Sequence, residues 1–170
     1  MSLILNFETS SKNCSVALSS EGKLISNFDL EDDKYRHSEL LTSTIKDILV
    51  QNNISAKDLS AVAIGIGPGS FTGLRIGFSV AKGLCYPHKI NLIGISSLKI
   101  LANSIKADSG DIVSMINDKG NFYYLSTFED KLNEVGNPIL EQVDPNFIKK
   151  YIKDGSTIVV NSEDSFNYIS

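Results

Sequence analysis

Apolar and polar residues follow two different rhythms along this chain. Leu3 to Phe7 is an apolar run broken only by Asn6, and it ends in the polar stretch Glu8-Thr9-Ser10-Ser11. That pattern predicts a buried strand followed by a turn. Cys14 to Leu18 and Leu24 to Leu30 alternate with period two around the turn Ser19-Ser20-Glu21-Gly22, so the N-terminal segment predicts a three-stranded antiparallel meander. From His37 to Asn52 the period lengthens: Leu40, Leu41, Thr44, Ile45, Ile48 and Leu49 share one face of a helix. Ser55 to Leu59 predicts one short helical turn, and Ala61 to Ile66 a central strand. Leu74 to Leu84 predicts a second long helix, with Pro87 past its end as a stop. Ile90 to Ile95 reads as another strand, and Ser96 as the cap of a helix over residues 97–105. Ile112 to Ile116, the turn Asn117-Asp118-Lys119-Gly120 and Phe122 to Phe128 predict a second strand pair. Asp144 to Ile152 predicts a helix and Thr157 to Val160 a last strand.

Strands and helices in this order predict an α/β protein, and the second strand pair predicts two related lobes. Composition agrees with a packed core: 42% of the 170 residues are hydrophobic and 21% are charged, which excludes disorder as the main state. The net charge of −4 and the lack of a basic stripe argue against a free-standing nucleic-acid binder. Tyr and Phe do not alternate with basic residues along the sequence, so a stacking platform for single-stranded RNA is not expected. Arg36 and Arg75 are the only arginines, and arginine is the better fork for phosphate and carboxylate. Cys14 and Cys85 have no CxxC spacing and make no disulfide framework; buried, reduced thiols and a cytoplasmic location are expected. The N-terminus has no basic segment followed by an apolar one, so no signal peptide is expected. No run approaches the roughly 20 apolar residues of a membrane helix.

Three segments carry candidate chemistry. Gly67-Pro68-Gly69-Ser70-Phe71-Thr72-Gly73 leads from a strand into a helix. Such a turn can aim backbone N–H groups at an anion, with Ser70 or Thr72 as the cap, or can simply be a tight strand-to-helix turn; both readings stay open. It lacks the Gly-Lys-[Ser/Thr] ending of a Walker A loop, and the last glycine of GxGxxG is missing. Gly73, Gly77 and Ala81 stand four residues apart, so one helix face is nearly bare backbone that a neighbouring helix can approach, either within the fold or on a partner. Glu8-Thr9-Ser10-Ser11 sets a carboxylate beside three hydroxyls, fit for a metal-bound water or a phosphate, or for an ordinary hairpin turn. His37 and His88 are isolated from each other and from the cysteines, so no metal site is expected. No GxSxG elbow is present.

The runs Leu3-Ile4-Leu5-Asn6-Phe7-Glu8-Thr9-Ser10, Cys14-Ser15-Val16-Ala17-Leu18, Arg36-His37-Ser38-Glu39-Leu40-Leu41, Gly67 to Gly77 and Ile93-Gly94-Ile95-Ser96-Ser97-Leu98 together resemble the TsaB (YeaZ) family, and Asn117 to Tyr124 does so more weakly. The resemblance implies an actin/Hsp70/sugar-kinase (ribonuclease H-like) fold with a ribonuclease H-like lobe over 1–106 and a shortened second lobe over 107–170. It implies a non-catalytic scaffold in making threonylcarbamoyladenosine beside the tRNA anticodon. The implied partners are the TsaD paralogue, the TsaE ATPase and a second copy when alone, with tRNA held indirectly and no membrane involved. ATP and a divalent metal would belong to the partners, and no cofactor would be held tightly here. The partner surface is expected on Leu40, Leu41, Ile45, Gly73, Arg75, Gly77 and Ala81, with Arg75 near it or paired with a carboxylate such as Glu39. A phosphate turn would use Glu8, Thr9, Ser10, Gly67, Gly69 and Ser70. Glu8 stands where the family usually has Asp. The metal-binding His pair of TsaD falls on Ser97 and Leu101, which are poor ligands by comparison. The alternative is a small ATPase or phosphotransferase of the same fold, using Glu8 and the Gly67–Gly73 turn.

Overall fold

The period-two segments form β1 (Leu3–Glu8), β2 (Asn13–Ser20) and β3 (Lys23–Glu31), paired antiparallel as the pattern predicts. The computed structural model describes residues 2–11, 13–31, 37–105, 110–129, 132–144, 147 and 150–161; the side chains of 30–31 and 37–39 lie outside that description. β4 (Ala61–Gly65) runs parallel to β1, and β5 (Asn91–Ile95) runs parallel to β4, giving the order β3-β2-β1-β4-β5. Strand pleating puts Leu5, Phe7, Val16, Leu18, Val62 and Ile64 on one face, where Leu41, Ile45, Ile48 and Leu49 of α1 (His37–Gln51) pack on them. Ala81 and Cys85 of α2 (Phe71–His88) complete this core. On the opposite face Asn6 lies between Ala17 and Ala63, and its amide donates to the Ala17 carbonyl and Ser19 Oγ, each at 3.3 Å.

Helix α2 is longer at both ends than its apolar period predicts. It opens at Phe71 because Ser70 caps it, and it runs through Pro87 to His88. The stop is Lys89 in the left-handed conformation (φ 55°), whose N–H reaches the Cys85 and Tyr86 carbonyls, and not the proline.

The second sheet has the order β8-β7-β6-β9, from β6 (Ile112–Asn117), β7 (Phe122–Glu129), β8 (Asn133–Gln142) and β9 (Thr157–Val160). Its two pairs flanking β7 are antiparallel and β6–β9 is parallel. Both faces are covered. Leu98 and Ala102 of α3 (Ser97–Asn103) pack with Ile112, Ile116, Phe128 and Val159, while Val143 and Phe147 pack with Val113, Met115, Tyr123 and Leu125.

The chain separates into two compact units, Met1–Ile95 and Ser96–Ser170. The division falls ahead of α3, because that helix buries its apolar face on the second sheet; the lobes implied by the resemblance are 1–106 and 107–170. Ser96 occupies the cap position of α3, but its side chain makes no cap bond and its Oγ is buried without a partner. Of the helix expected over 144–152, Phe147, Lys150 and Tyr151 are helical, and 145–146 and 148–149 lie outside the described residues. Among the described residues, no helix is long and apolar enough to cross a membrane.

Candidate functional site

The expected phosphate turn does assemble in space, at the C-terminal ends of β1 and β4. Glu8 closes β1, and its Oε1 accepts from the N–H of Thr9 at 2.8 Å and of Ser10 at 2.7 Å. A Cβ on Gly65 would stand 1.7 Å from Glu8 Oε2, so the carboxylate lies flat against bare backbone. Gly69 takes φ +152°, and a Cβ there would meet the Ser10 carbonyl oxygen at 2.5 Å. That close approach lets the Ser70 N–H donate to the same carbonyl at 2.6 Å. Ser70 Oγ then accepts from Gly73 N–H at 3.2 Å as the helix cap.

Glu8, Thr9, Ser10, Gly67, Gly69 and Ser70 thus share one corner, but the corner answers its own donors. Thr9 and Ser10 give their N–H groups to Glu8, Ser70 to Ser10, and Gly73 to Ser70. A phosphate cradle needs such groups turned outward. Among the described residues, no three His, Cys, Asp or Glu side chains converge as a metal site.

The small-residue face of α2 is turned into the unit. Thr9, 3% exposed, donates its hydroxyl to the Gly73 carbonyl at 2.8 Å. A Cβ at Gly73 would come within 1.9 Å of Thr9 O, and one at Gly77 within 2.5 Å of Thr9 Oγ1. Ala81 is fully buried, as is Leu41, and Ile45 is nearly so. Gly73, Gly77, Ala81, Leu41 and Ile45 are therefore corrected from a partner surface to internal packing: the close approach is made by the β1–β2 turn and by the core. Leu40 is half-buried and Arg75 is exposed, so these two remain available. The suggested partner of Arg75, Glu39, has its side chain outside the described residues, as do Arg36 and the His37 ring. Arg75 instead lies over the Phe71 ring, 4.6 Å from its centroid.

The outer face of α2 carries a pattern not foreseen. Phe71 is 70% exposed, Phe78 43% and Tyr86 89%, and Lys82 sits 4.9 Å over Phe78. Contrary to the sequence reading, rings and bases alternate here in chain order, and at 3.6 residues per turn Phe71, Arg75, Phe78, Lys82 and Tyr86 fall along one stripe. Each exposed cation–ring pair is worth about 0.5–1 kcal/mol. Elsewhere, Cys14 and Cys85 are free and buried, and burial pushes both thiols up, away from reactive thiolate. Ser97 is buried in α3 and Leu101 packs partly buried on the second sheet.

The chain matches known proteins over most of its length. The family model described as TsaD, tRNA N6-adenosine threonylcarbamoyltransferase, matches residues 31–149. The tRNA threonylcarbamoyladenosine biosynthesis protein TsaB of Escherichia coli is 36% identical over 107 residues, covering 63% of this chain and 46% of that protein. TsaB of Bacillus subtilis is 30% identical over 143 residues, covering 84% of this chain and 60% of that protein. The chain spans about half the length of the curated relatives it matches. The solved structure of YeaZ from Pseudomonas aeruginosa superimposes with a TM-score of 0.78 at 25% identity, over 85% of this chain and 70% of that one.

Proposed function

Because this chain belongs to the TsaB (YeaZ) family, with its actin/Hsp70/sugar-kinase type of α/β fold, we propose that it serves tRNA threonylcarbamoyladenosine biosynthesis as a non-catalytic subunit. It pairs with a TsaD-type paralogue, which carries out the threonylcarbamoyl transfer, and a TsaE-type ATPase joins that pair. ATP, a divalent metal and the tRNA are held by these partners, in the cytoplasm.

The observation that supports this reading is the closed corner at Glu8. The backbone donors that a nucleotide-using relative of this fold would present to phosphate are engaged by Glu8, Ser10 and Ser70. A side chain that fills an anion nest leaves the chain to act through its surface.

Mixing the chain with the TsaD-type paralogue from the same genome and measuring mass by light scattering tests the reading. The expected result is a complex with the summed mass, and a chain that alone neither hydrolyses ATP nor retains a divalent metal. ATP turnover by the chain alone, abolished by Glu8→Gln, would overturn it.

A further inference from the structure

We propose that the bulge at Gly136–Pro138 guards the edge of the second sheet: it keeps β8 from adding a strand of another copy of this chain, so that contact between copies along this edge is shut. The guard lies wholly in the second unit and does not depend on the function proposed above.

Among the described strands β8 ends its sheet, with β7 on one side only, and its ten residues are exposed almost throughout. Val135, Ile139 and Leu140 are exposed apolar residues on it. An apolar edge of that length, about 33 Å if straight, is a template for another chain's strand. The register, however, breaks. Thr127 pairs with Val135 and Leu125 with Ile139, so Gly136, Asn137 and Pro138 together face the single residue Ser126. β8 therefore holds two residues more than β7 can match. Gly136 takes φ 77°, which side chains disfavour, and Pro138 has no N–H to give a neighbour. Ser126 is buried, and its hydroxyl donates to Glu134 Oε1 at 2.5 Å, tying the start of the bulge to β7.

The bulge cuts a regular edge into two pieces, Asn133–Val135 and Ile139–Gln142, of three and four residues. Each is shorter than an ordinary strand of about five or six residues, so neither offers a second copy enough ladder. A straight β8 removes that obstacle. Without Gly136 and Asn137, residue 138 stands opposite Ser126, and Val135 joins Ile139 and Leu140 in one apolar run. β7 would gain regular pairing from this, so the irregularity does not serve β7. Charge adds a smaller effect. β8 carries Glu134 and Glu141 and no base. Two copies paired antiparallel about the midpoint between Asn137 and Pro138 set Glu134 of one against Glu141 of the other, and like charges directly opposite repel. Lys150 already offsets part of the Glu141 charge, so the bulge carries most of the guard.

The test compares the full chain with a straightened variant, in which Gly136 and Asn137 are deleted and Pro138→Val restores an N–H. Pro138→Val alone is the milder change, and Leu140→Lys added to the straightened variant puts a charge back on the edge. Sedimentation from about 1 to about 100 μM reads association, with whatever state wild type reaches through other surfaces as the baseline. Hydrogen exchange reads the amides of Ile139–Gln142 that β7 does not engage, with those of β6 as the folding control. In wild type the exchange at 139–142 is expected to be the same at both concentrations. In the straightened variant it slows at least about tenfold on concentration, with an association step beyond the baseline; Leu140→Lys reverses both, and Pro138→Val alone gives a smaller slowing. Wild-type amides at 139–142 that gain protection with concentration overturn the guard, because the edge then pairs as it stands. A folded straightened variant that stays at the baseline overturns it too. If straightening costs the protection of β6, Pro138→Val decides alone, and exchange at 139–142 that ignores concentration in that variant overturns the guard.

Discussion

The two units lay four strands in the same order and directions, β3-β2-β1-β4 and β8-β7-β6-β9, yet their central strands obey different hydrophobic rules. In β1, buried Leu5 and Phe7 alternate with the half-buried Ile4 and Asn6, because α1 and α2 cover one face while the other is lined by Asn6, Ala17 and Ala63. In β6, Ile112 to Ile116 are all buried, because α3 covers one face and Val143 and Phe147 cover the other. The turn after each strand differs as sharply. Glu8 accepts from two backbone amides, whereas Asn117 donates its amide to the Gly120 carbonyl at 2.8 Å and the Phe122 carbonyl at 3.3 Å. Equivalent corners of a repeated topology are thus closed with opposite hydrogen-bond polarity. The topology supplies the corner, and the one residue at the strand end decides its chemistry.

The largest effect that would sharpen this comparison lies under α2. Gly73→Ala puts a methyl group into the Thr9 carbonyl, and backbone cannot step aside as a side-chain tip can. A loss of about 3 kcal/mol is expected in the first unit. Gly83, on the exposed side of the same helix, has nothing within 4 Å of an added Cβ, so Gly83→Ala should stabilise by up to about 1 kcal/mol. Cys14 and Cys85 both lie in the first unit and are buried, so thiol labelling in urea reports its opening. Hydrogen exchange in β6 and β7 reports the second unit, which should be unchanged by either substitution. Equal losses in both units would break the comparison, since they would then behave as one cooperative body.

Intermediate effects come from the two turns. Glu8→Ala leaves the Thr9 and Ser10 amides, both on well-buried residues, without their carboxylate, at a cost of about 2 kcal/mol. Asn117→Ala releases two carbonyls at an exposed turn where water replaces the lost donor, at about 0.5–1 kcal/mol. Urea unfolding of the two variants checks the ranking. The reverse order would mean that Glu8 is dispensable to the corner and that its carboxylate is held there for something other than structure.

How much of this was legible before the structure depended on which face a residue turns. Alternation located β1 to β3, continuous apolar runs located β4 to β6, and helical period located the three helices, because residue type carries these patterns; β7 and β9 were also found. It missed β8, which is exposed almost throughout and carries Gly136 and Pro138, so no alternation marks it. The family was legible from the Gly67 to Gly77 run and the segments around it. The residues of the turn at Glu8 were legible as a group, but not that their amides are used up, since that follows from how one side chain is rotated. Bare glycines on α2 signalled a close approach without saying by what; the β1–β2 turn, distant in sequence, supplies the answer. Rings and cations spread over sixteen positions looked scattered until the helix period gathered them, although that same period had already been used to find the helix.

The smallest expected effect concerns a device found in the second unit, at the end of β8. Glu141 accepts a hydrogen bond from the Tyr151 hydroxyl and another from Lys150, 2.9 Å away. The Tyr151 hydroxyl first, and then Lys150, hold the Glu141 carboxyl below its ordinary value of 4.5; Lys150's own contact with Tyr151 first, and then with Glu141, holds its ammonium above its ordinary 10.5. A carboxylate with a lowered folded-state value stabilises the fold fully above its unfolded value, and that support is lost as pH falls through the folded one. For Lys150 the sign reverses: the support is complete below the ordinary lysine value and lost as pH rises through the raised one. Both partners are substantially exposed, with Lys150 62% and Glu141 34% accessible, so water screens the pair and the effect is small. Hydrogen exchange in β7 and β8, compared at about pH 5 and about pH 3, should show a loss of protection that Glu141→Gln removes. Protection in β1 and β4 should respond identically in the two proteins, because the pair lies wholly in the second unit. If Glu141→Gln altered the acid response of both units alike, the two units would have to be treated as one cooperative body.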